Sequence, residues 1–386
     1  MAANPQNIVI LGTTHPFRGG LATFNERLAR QLISEGHRVT IYTFSLQYPN
    51  FLFPGKTQMS DDPTPTDLDI QVKVNSVNPL NWWKIGKELR KLAPDLLLMK
   101  FWIPFIGPSL GTIARQVRKN GKTKAIAIVD NMIPHEKRPG DLPLIRYFAH
   151  SVDGFIAMSH SVEKDIASFN TGKPVRFAVH PVYDNFGKHY DKTEAKQLLG
   201  LDPDTHYLLF FGFIRDYKGL DIALEAMADP RLRDMNVKLL VAGEFYSDPK
   251  PTHDLIAKLD IADRVVLRTD FIPNDQVGKY FCASDVVVQP YKTATQSGVT
   301  QVAYHFDRPM IVTNVGGLAE IVPHGKVGFV TQVSPEAIAD AILEFYQGGH
   351  EAAFAAGVAE ERAKYQWDRF TGTITELQAY LTNNRP

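Results

Sequence analysis

The sequence predicts an α/β protein made of two doubly wound parallel sheets in tandem. Three observations carry the prediction: the length, a repeated alternation of short apolar runs with helical segments, and one break in that alternation. At 386 residues the chain exceeds what a single hydrophobic core usually supports, so two domains are expected. Apolar residues make up 44% of it, enough to fill two such cores.

The first series opens with a strand at Asn7–Leu11, a helix at Gly20–Glu35 and a strand at His37–Thr43. A Pro-, Asp- and Thr-rich stretch around Asp61–Asp67 reads as a surface excursion before the strand Ile70–Val74. Asp95–Met99, Lys124–Val129, Gly154–Ala157 and Val175–Val179 are further short apolar runs, each after a helical segment. This is the pattern of a parallel sheet covered by helices on both faces. Pro181, Asn185 and Gly187 interrupt it near His180–Tyr190. A second series then runs through Tyr207–Phe211, Val237–Ala242, Arg264–Leu267, Asp285–Gln289, Pro309–Thr313 and Gly328–Thr331, with helices at Leu220–Ala228 and Val299–His305. The segment from Glu351 to Thr382 is helical in composition and carries Trp367 and Phe370. The predicted domains are therefore 1–185 and 186–364, with 365–386 a helix that crosses back to the first. Two such units in tandem would place a cleft between the carboxyl ends of their sheets, where doubly wound folds bind ligands.

Charge is balanced overall but divided unevenly. Residues 1–180 hold 22 Lys/Arg against 14 Asp/Glu, and the remainder holds 20 against 28. A basic half joined to an acidic half points to different partners for each, with an anionic surface or acceptor suiting the first. Cys282 is the only cysteine, which excludes an internal disulfide and fits a reducing, cytoplasmic compartment. It falls on the apolar stripe of a predicted helix, Asp275–Ala283, and reads as a core residue. No signal-peptide pattern is read at the N-terminus, and no segment reaches the roughly 20 uninterrupted apolar residues that span a bilayer. The expectation is a cytoplasmic protein, at most peripheral to the inner face of a membrane, with no nucleic-acid partner.

The most informative stretch is Phe210-Phe211-Gly212-Phe213-Ile214-Arg215-Asp216-Tyr217-Lys218-Gly219-Leu220. A turn between a buried strand and a helix presents Arg215 and Lys218 beside the positive end of that helix. Backbone N–H groups, helix dipole and two cations at one place make an anion site suited to a diphosphate. After the first strand, Gly19-Gly20 opens a helix and lets a ligand approach the backbone. The motif is neither Gly-x-Gly-x-x-Gly nor a Walker loop. Two more polar, glycine-containing turns follow strands of the second series. Ser297-Gly298-Val299-Thr300-Gln301 comes after Pro290, and Asn314-Val315-Gly316-Gly317-Leu318-Ala319-Glu320 comes after Thr313.

With these motifs the chain resembles the retaining, nucleotide-sugar-dependent glycosyltransferases of family 4, which have the GT-B fold of two Rossmann-like domains. The resemblance rests on Gly19-Gly20, on Gly212 through Gly219, on Val241-Ala242-Gly243-Glu244, on Asp285 to Pro290 and on Pro309 to Glu320. It implies that Arg215 and Lys218 hold the donor diphosphate and that Gly19 and Gly20 face the same phosphates and the acceptor. Base and ribose would lie along the second domain, near Gly212, Glu244 and the backbone around Ile272. Gln296, Ser297, Gly298, Val299, Gln301 and Glu320 would meet sugar and ribose.

Two departures stand out. Family members carry two glutamates separated by seven residues, where this chain has Ala294 and Val302. A neutral Gln cannot stabilise an oxocarbenium-like transition state by charge. Asp130 stands at a strand end where the family often has His, and His135 follows five residues later. His135 would supply the imidazole instead, or be a loop histidine beside Glu136. Trp82-Trp83-Lys84 through Leu92 is a basic amphipathic segment with adjacent tryptophans. It fits an anionic membrane carrying a lipid-linked acceptor, or a helix with its Leu/Ile face on the sheet and its lysines in water.

The resulting expectation is a retaining hexosyltransferase-type enzyme using a nucleotide-diphosphate sugar, with a glycan, lipid-linked or small-molecule acceptor, as in polysaccharide biosynthesis. No cofactor and no metal are expected, since two cations and helix N-termini can neutralise the leaving diphosphate. The alternatives are a non-catalytic sugar-nucleotide or glycan-binding protein, and a glycan phosphorylase or sugar-phosphate hydrolase on a similar scaffold.

Overall fold

The computed structural model describes residues 5–49, 57–60, 63–134, 138–294 and 297–384. They form two compact units, one of residues 1–180 and 366–386 and one of residues 181–365. The division falls five residues earlier than the boundary expected after 185 and one residue from the expected start of the last segment.

In the first unit the elements follow in the order β1 Asn7–Leu11, α1 Gly20–Ser34, β2 Arg38–Leu46, β3 Asp69–Asn75, α2 Pro79–Leu92, β4 Leu96–Phe101, α3 Gly107–Arg118, β5 Lys124–Val129, α4 Asp141–Ala149, β6 Gly154–Ala157, α5 His160–Ala167 and β7 Val175–Phe177. The strands make one sheet in the order β3-β2-β1-β4-β5-β6-β7, parallel throughout. β1 and β4 are buried along nearly their whole length. Strands covered on both faces read as continuous apolar runs, which is why Ile8-Val9-Ile10-Leu11 and Leu96-Leu97-Leu98-Met99 show no polar alternation. α1 buries Phe24, Leu28 and Leu32, with Asn25 and Ala29 beside them, at helical spacing.

The second unit continues with α6 Lys192–Leu198, β8 His206–Phe211, α7 Leu220–Met227, β9 Val237–Ala242, α8 Lys250–Leu259, β10 Val265–Arg268, α9 Val277–Ala283, β11 Val286–Gln289, α10 Gly298–His305, β12 Met310–Thr313, α11 Leu318–Ile321, β13 Gly328–Thr331, α12 Pro335–Gln347 and α13 Glu351–Arg362. Its sheet runs β10-β9-β8-β11-β12-β13, again all parallel. Both sheets reverse their strand order beside their first strand, the switch point at which such sheets open a crevice beyond the strand ends.

Several expected boundaries move for identifiable reasons. Arg264 closes a short 3-10 turn instead of starting a strand, because its guanidinium bonds Met227 O and Leu232 O at 2.8 and 2.7 Å. Asp285 precedes β11 and takes the Tyr207 N–H at 3.0 Å and the Lys192 ammonium at 2.7 Å. Burial opposes its charge, yet Lys192 and these bonds hold its pKa below the usual aspartate value. Cys282 is buried in α9, and burial raises its thiol pKa. The segment from Glu351 to Thr382, expected to be helical, is divided by a 3-10 turn, Ala363–Tyr365, and α14 follows at Trp367–Asn383.

α14 belongs to the first unit. Trp367 and Phe370 close on Phe24 with ring centroids 5.3 and 5.7 Å apart, and Thr371 donates to Glu35 at 2.6 Å. Trp367→Ala is therefore expected to destabilise this unit by roughly 3–5 kcal/mol, read as a lower urea midpoint with unchanged m-value.

Candidate active site

The carboxyl ends of β8, β9 and β11 carry three turns that interlock by backbone contact. Gly243, at φ +143°, lies so close to the Gly212 carbonyl that a Cβ would sit 2.2 Å from its oxygen. Gly219, at φ +69°, stands against Pro290, where a Cβ would be 2.0 Å from the carbonyl oxygen. Only glycine meets both the left-handed backbone and the absent space at Gly219. Hydrogen bonds tie the same turns: Gly212 N–H to Ala242 O at 2.9 Å, Ile214 N–H to Glu244 O at 2.9 Å and Lys292 N–H to Tyr217 O at 2.8 Å.

Into this frame the short 3-10 turn Asp216–Lys218, with Arg215 immediately before it, delivers the two predicted cations. Lys218 is buried, and its Nζ lies over Gly212, 3.0 Å from where a Cβ would be. The Val299 side chain approaches the same point to 3.6 Å, which brings the first turn of α10 beside the ammonium. Burial, with the Arg215 charge adding to it, pushes the Lys218 pKa down to about 7. Arg215 is half-buried and stacks on the Tyr246 ring at 3.7 Å. The other basic group of the turn region, Lys292, is neutralised by Asp216 at 2.7 Å and Asp221 at 2.8 Å. Among the described residues Lys218 has no carboxylate partner. A buried cation with its charge uncompensated, beside a helix N-terminus, is a receptor for an anion.

Ser297 precedes α10, is buried, and its Oγ lies 3.2 Å from the Tyr291 hydroxyl. Tyr291 is in turn fixed by its carbonyl, which accepts from Thr313 at 2.6 Å. Gly212, Lys218, Ser297, Gly298 and Val299 thus form one cluster. Gln301, a turn further along in α10, is fully buried. Glu244 is buried at the end of β9, Ile272 is half-buried in the loop after β10, and Glu320 is exposed in α11. Ala294 and Val302, at the positions of the family's glutamates, are both buried apolar residues. Gln296 and His135 lie outside the described residues.

In the first unit Gly19 caps α1 at φ +99° and Gly20 is its exposed first residue. Asp130 follows β5 and pairs with Lys100 at 2.9 Å, a partner sequence reasoning missed. The signal was present as the lone charge in the apolar run Leu96–Phe101. Lys100 is buried, with its Nζ 3.4 Å from the centroid of the Phe24 ring. Its stem and the Asn25 amide flank Gly12, and Asn25 donates to Thr13 O at 2.7 Å. Burial pushes the Lys100 pKa down and the Asp130 pKa up, each opposed by the other's charge. Among the described residues no group of three or more His, Cys, Asp and Glu side chains is placed to hold a metal ion.

Residues 205–348 match the model of the glycosyl transferases group 1 and residues 18–181 that of glycosyltransferase family 4. The chain belongs to the GT-B glycosyltransferases. This GT-B chain is similar to the D-inositol 3-phosphate glycosyltransferase of Acidothermus cellulolyticus, 23% identical over 91% of the chain and 83% of that protein. It is also similar to D-inositol 3-phosphate glycosyltransferase 2 of Catenulispora acidiphila, 27% identical over 67% of the chain and 64% of that relative. Among solved structures, HepE of Anabaena in complex with UDP and glucose superposes with a TM-score of 0.74 at 17% identity, covering 97% of this chain and all of that one. Sucrose-phosphate synthase of Thermosynechococcus elongatus gives 0.72 at 18% identity, over 98% of this chain and 99% of that one. At such identities these structures speak to the fold.

Breaking the Lys100–Asp130 pair by Lys100→Met removes the cation that offsets the desolvation of the Asp130 carboxylate and is expected to cost roughly 3–5 kcal/mol. Lys100→Met with Asp130→Asn should recover much of that loss in denaturant melts.

Proposed function

We propose that the protein is a retaining glycosyltransferase that takes a sugar from a nucleotide-diphosphate donor without a metal ion. The observation that carries the reading is Lys218: a buried ammonium over Gly212, at the first turn of α10, with no carboxylate partner among the described residues. The donor's diphosphate would lie against Lys218, Arg215 and the N–H groups of Gly298 and Val299. These groups neutralise charge that grows on the diphosphate as the glycosidic bond breaks, and their buried setting strengthens the attraction. Ser297 would bond a sugar or phosphate oxygen, and Glu244 and the Ile272 backbone would meet ribose and base. The acceptor would meet the carboxyl edge of the first sheet, where Gly19, Gly20 and Asp130 stand. The relatives' names fit a polyol or polyol phosphate acceptor, and the resemblance to family 4 fits a glycan or lipid-linked one. Retention follows from that resemblance.

A second reading has a specific observation in its favour. With Ala294 and Val302 where the family has glutamates, the site lacks two carboxylates that would face the donor sugar. Sugar-nucleotide binding without transfer would then be the function. Incubation with labelled UDP-, GDP- and ADP-sugars separates the two, because transfer releases the nucleoside diphosphate and binding alone does not.

Arg215→Ala and Lys218→Ala are each expected to weaken donor binding by roughly 1.5–3 kcal/mol, measured by calorimetry. Unchanged affinity in both would sink the assignment. The pH dependence has a definite sign. Free Lys218 loses its proton near pH 7, and a bound diphosphate favours the charged form, so binding above that pH takes up a proton. Affinity for a nucleotide sugar, whose diphosphate stays fully ionised in this range, should be level below pH 7 and fall by up to about tenfold per pH unit above it. Lys218→Ala should flatten the profile.

A further inference from the structure

We propose that the outer face of α2 is a docking surface for an anionic lipid bilayer. The helix is well formed for its own reasons. Asn78 Oδ1 accepts from the N–H groups of Leu80 and Asn81, Pro79 starts the first turn, and Ala93 in the left-handed region ends the last. Ile85, Gly86 and Leu89 are its buried face. At 100° per residue, Leu80, Trp83, Lys84, Lys87, Arg90 and Lys91 occupy the opposite arc of about 120°. All six are exposed.

That face is graded along its length. Its start is apolar: Leu80 is 79% and Trp83 48% exposed, with Val77 exposed just before them. Its remainder is cationic, and Glu88, the only acidic residue of the helix, is already engaged by Lys73 and Tyr42 at 2.7 and 2.8 Å. Lys87 Nζ lies 3.4 Å from the centroid of the Trp83 ring, a contact that joins the apolar and cationic parts. Leu80 to Lys91 spans about 16 Å of helix. An aromatic and a leucine able to enter the headgroup boundary, beside four basic side chains able to meet lipid phosphates, match a negatively charged membrane surface. A nucleic acid would use the charge and leave the leucine and tryptophan in water. No helix among the described residues is long and apolar enough to cross a membrane, so the contact would be peripheral. It would bring the acceptor edge of the first unit to a surface where a lipid-linked sugar acceptor resides, and to that extent it rests on the transferase reading.

The test is co-sedimentation of the full chain with vesicles of phosphatidylcholine alone and of phosphatidylcholine mixed with phosphatidylglycerol. Binding is expected only to the mixed vesicles and should weaken with added salt. Lys84→Gln, Lys87→Gln and Lys91→Gln together should weaken it on the order of 100-fold, and Leu80→Ser with Trp83→Ser by at least about tenfold. Trp emission should shift to the blue on the mixed vesicles, and Trp83→Phe should remove that shift. All these positions are exposed, so donor affinity should stay at the wild-type value, and a failed donor site would be read separately. Equal binding to both vesicle types, no binding, or binding indifferent to the substitutions would overturn the proposal. So would sedimentation velocity showing a dimer that Leu80→Ser with Trp83→Ser dissolves, since the face would then be an interface between copies.

Discussion

The second unit is organised around a cation that has been taken out of water at the carboxyl edge of its sheet, with no carboxylate partner among the described residues. Lys218 reaches that position because the turns after β8, β9 and β11 touch backbone to backbone, at Gly243 against Gly212 and at Gly219 against Pro290. Any side chain at those glycines would push the turns apart. Keeping a buried ammonium without a counter-charge is unfavourable in the empty protein, which is why its pKa falls. The same arrangement becomes favourable once an anion occupies it. Stability is given up where binding needs it, a common feature of sites whose electrostatics are set in advance.

The first unit places its charges differently. Lys100 and Asp130 are also buried at strand ends, but they neutralise one another. A compensated pair creates little attraction for a charged ligand; it fixes geometry beneath the loop that starts at Gly12, where Asn25 holds Thr13. The positive charge of this half is instead carried on its surface, and α2 concentrates it on one exposed arc. Buried compensation and exposed excess are two uses of the same residue type. On the readings proposed above, they would divide recognition between a small anion in one unit and an extended anionic surface at the other.

The missing glutamates acquire a structural meaning from this arrangement. Ala294 and Val302 are packed away, so the stretch around α10 contributes helix N–H groups and the Ser297 hydroxyl to the site without adding negative charge near Lys218. An acidic residue there would offset the potential that the lysine and Arg215 produce. On the proposed reading, the chain has the elements that would hold an anion and lacks two that would face a developing cation on the sugar.

Much of this was legible in the residues. Continuous apolar runs such as Ile8–Leu11 and Val286–Gln289 identify strands covered on both faces, and their alternation with helical stretches identifies parallel sheets, because that period depends only on local chemistry. The Arg215/Lys218 turn was likewise readable, since a strand, a glycine turn and a helix are consecutive in the chain. Tertiary structure decided what depends on residues far apart in sequence. It paired Lys100 with Asp130 across neighbouring strands, set the 3-10 break at Ala363–Tyr365 ahead of α14, and buried Gln301. It also set the Lys218 pKa, because desolvation is a property of everything packed around an atom and not of the residues beside it in the chain.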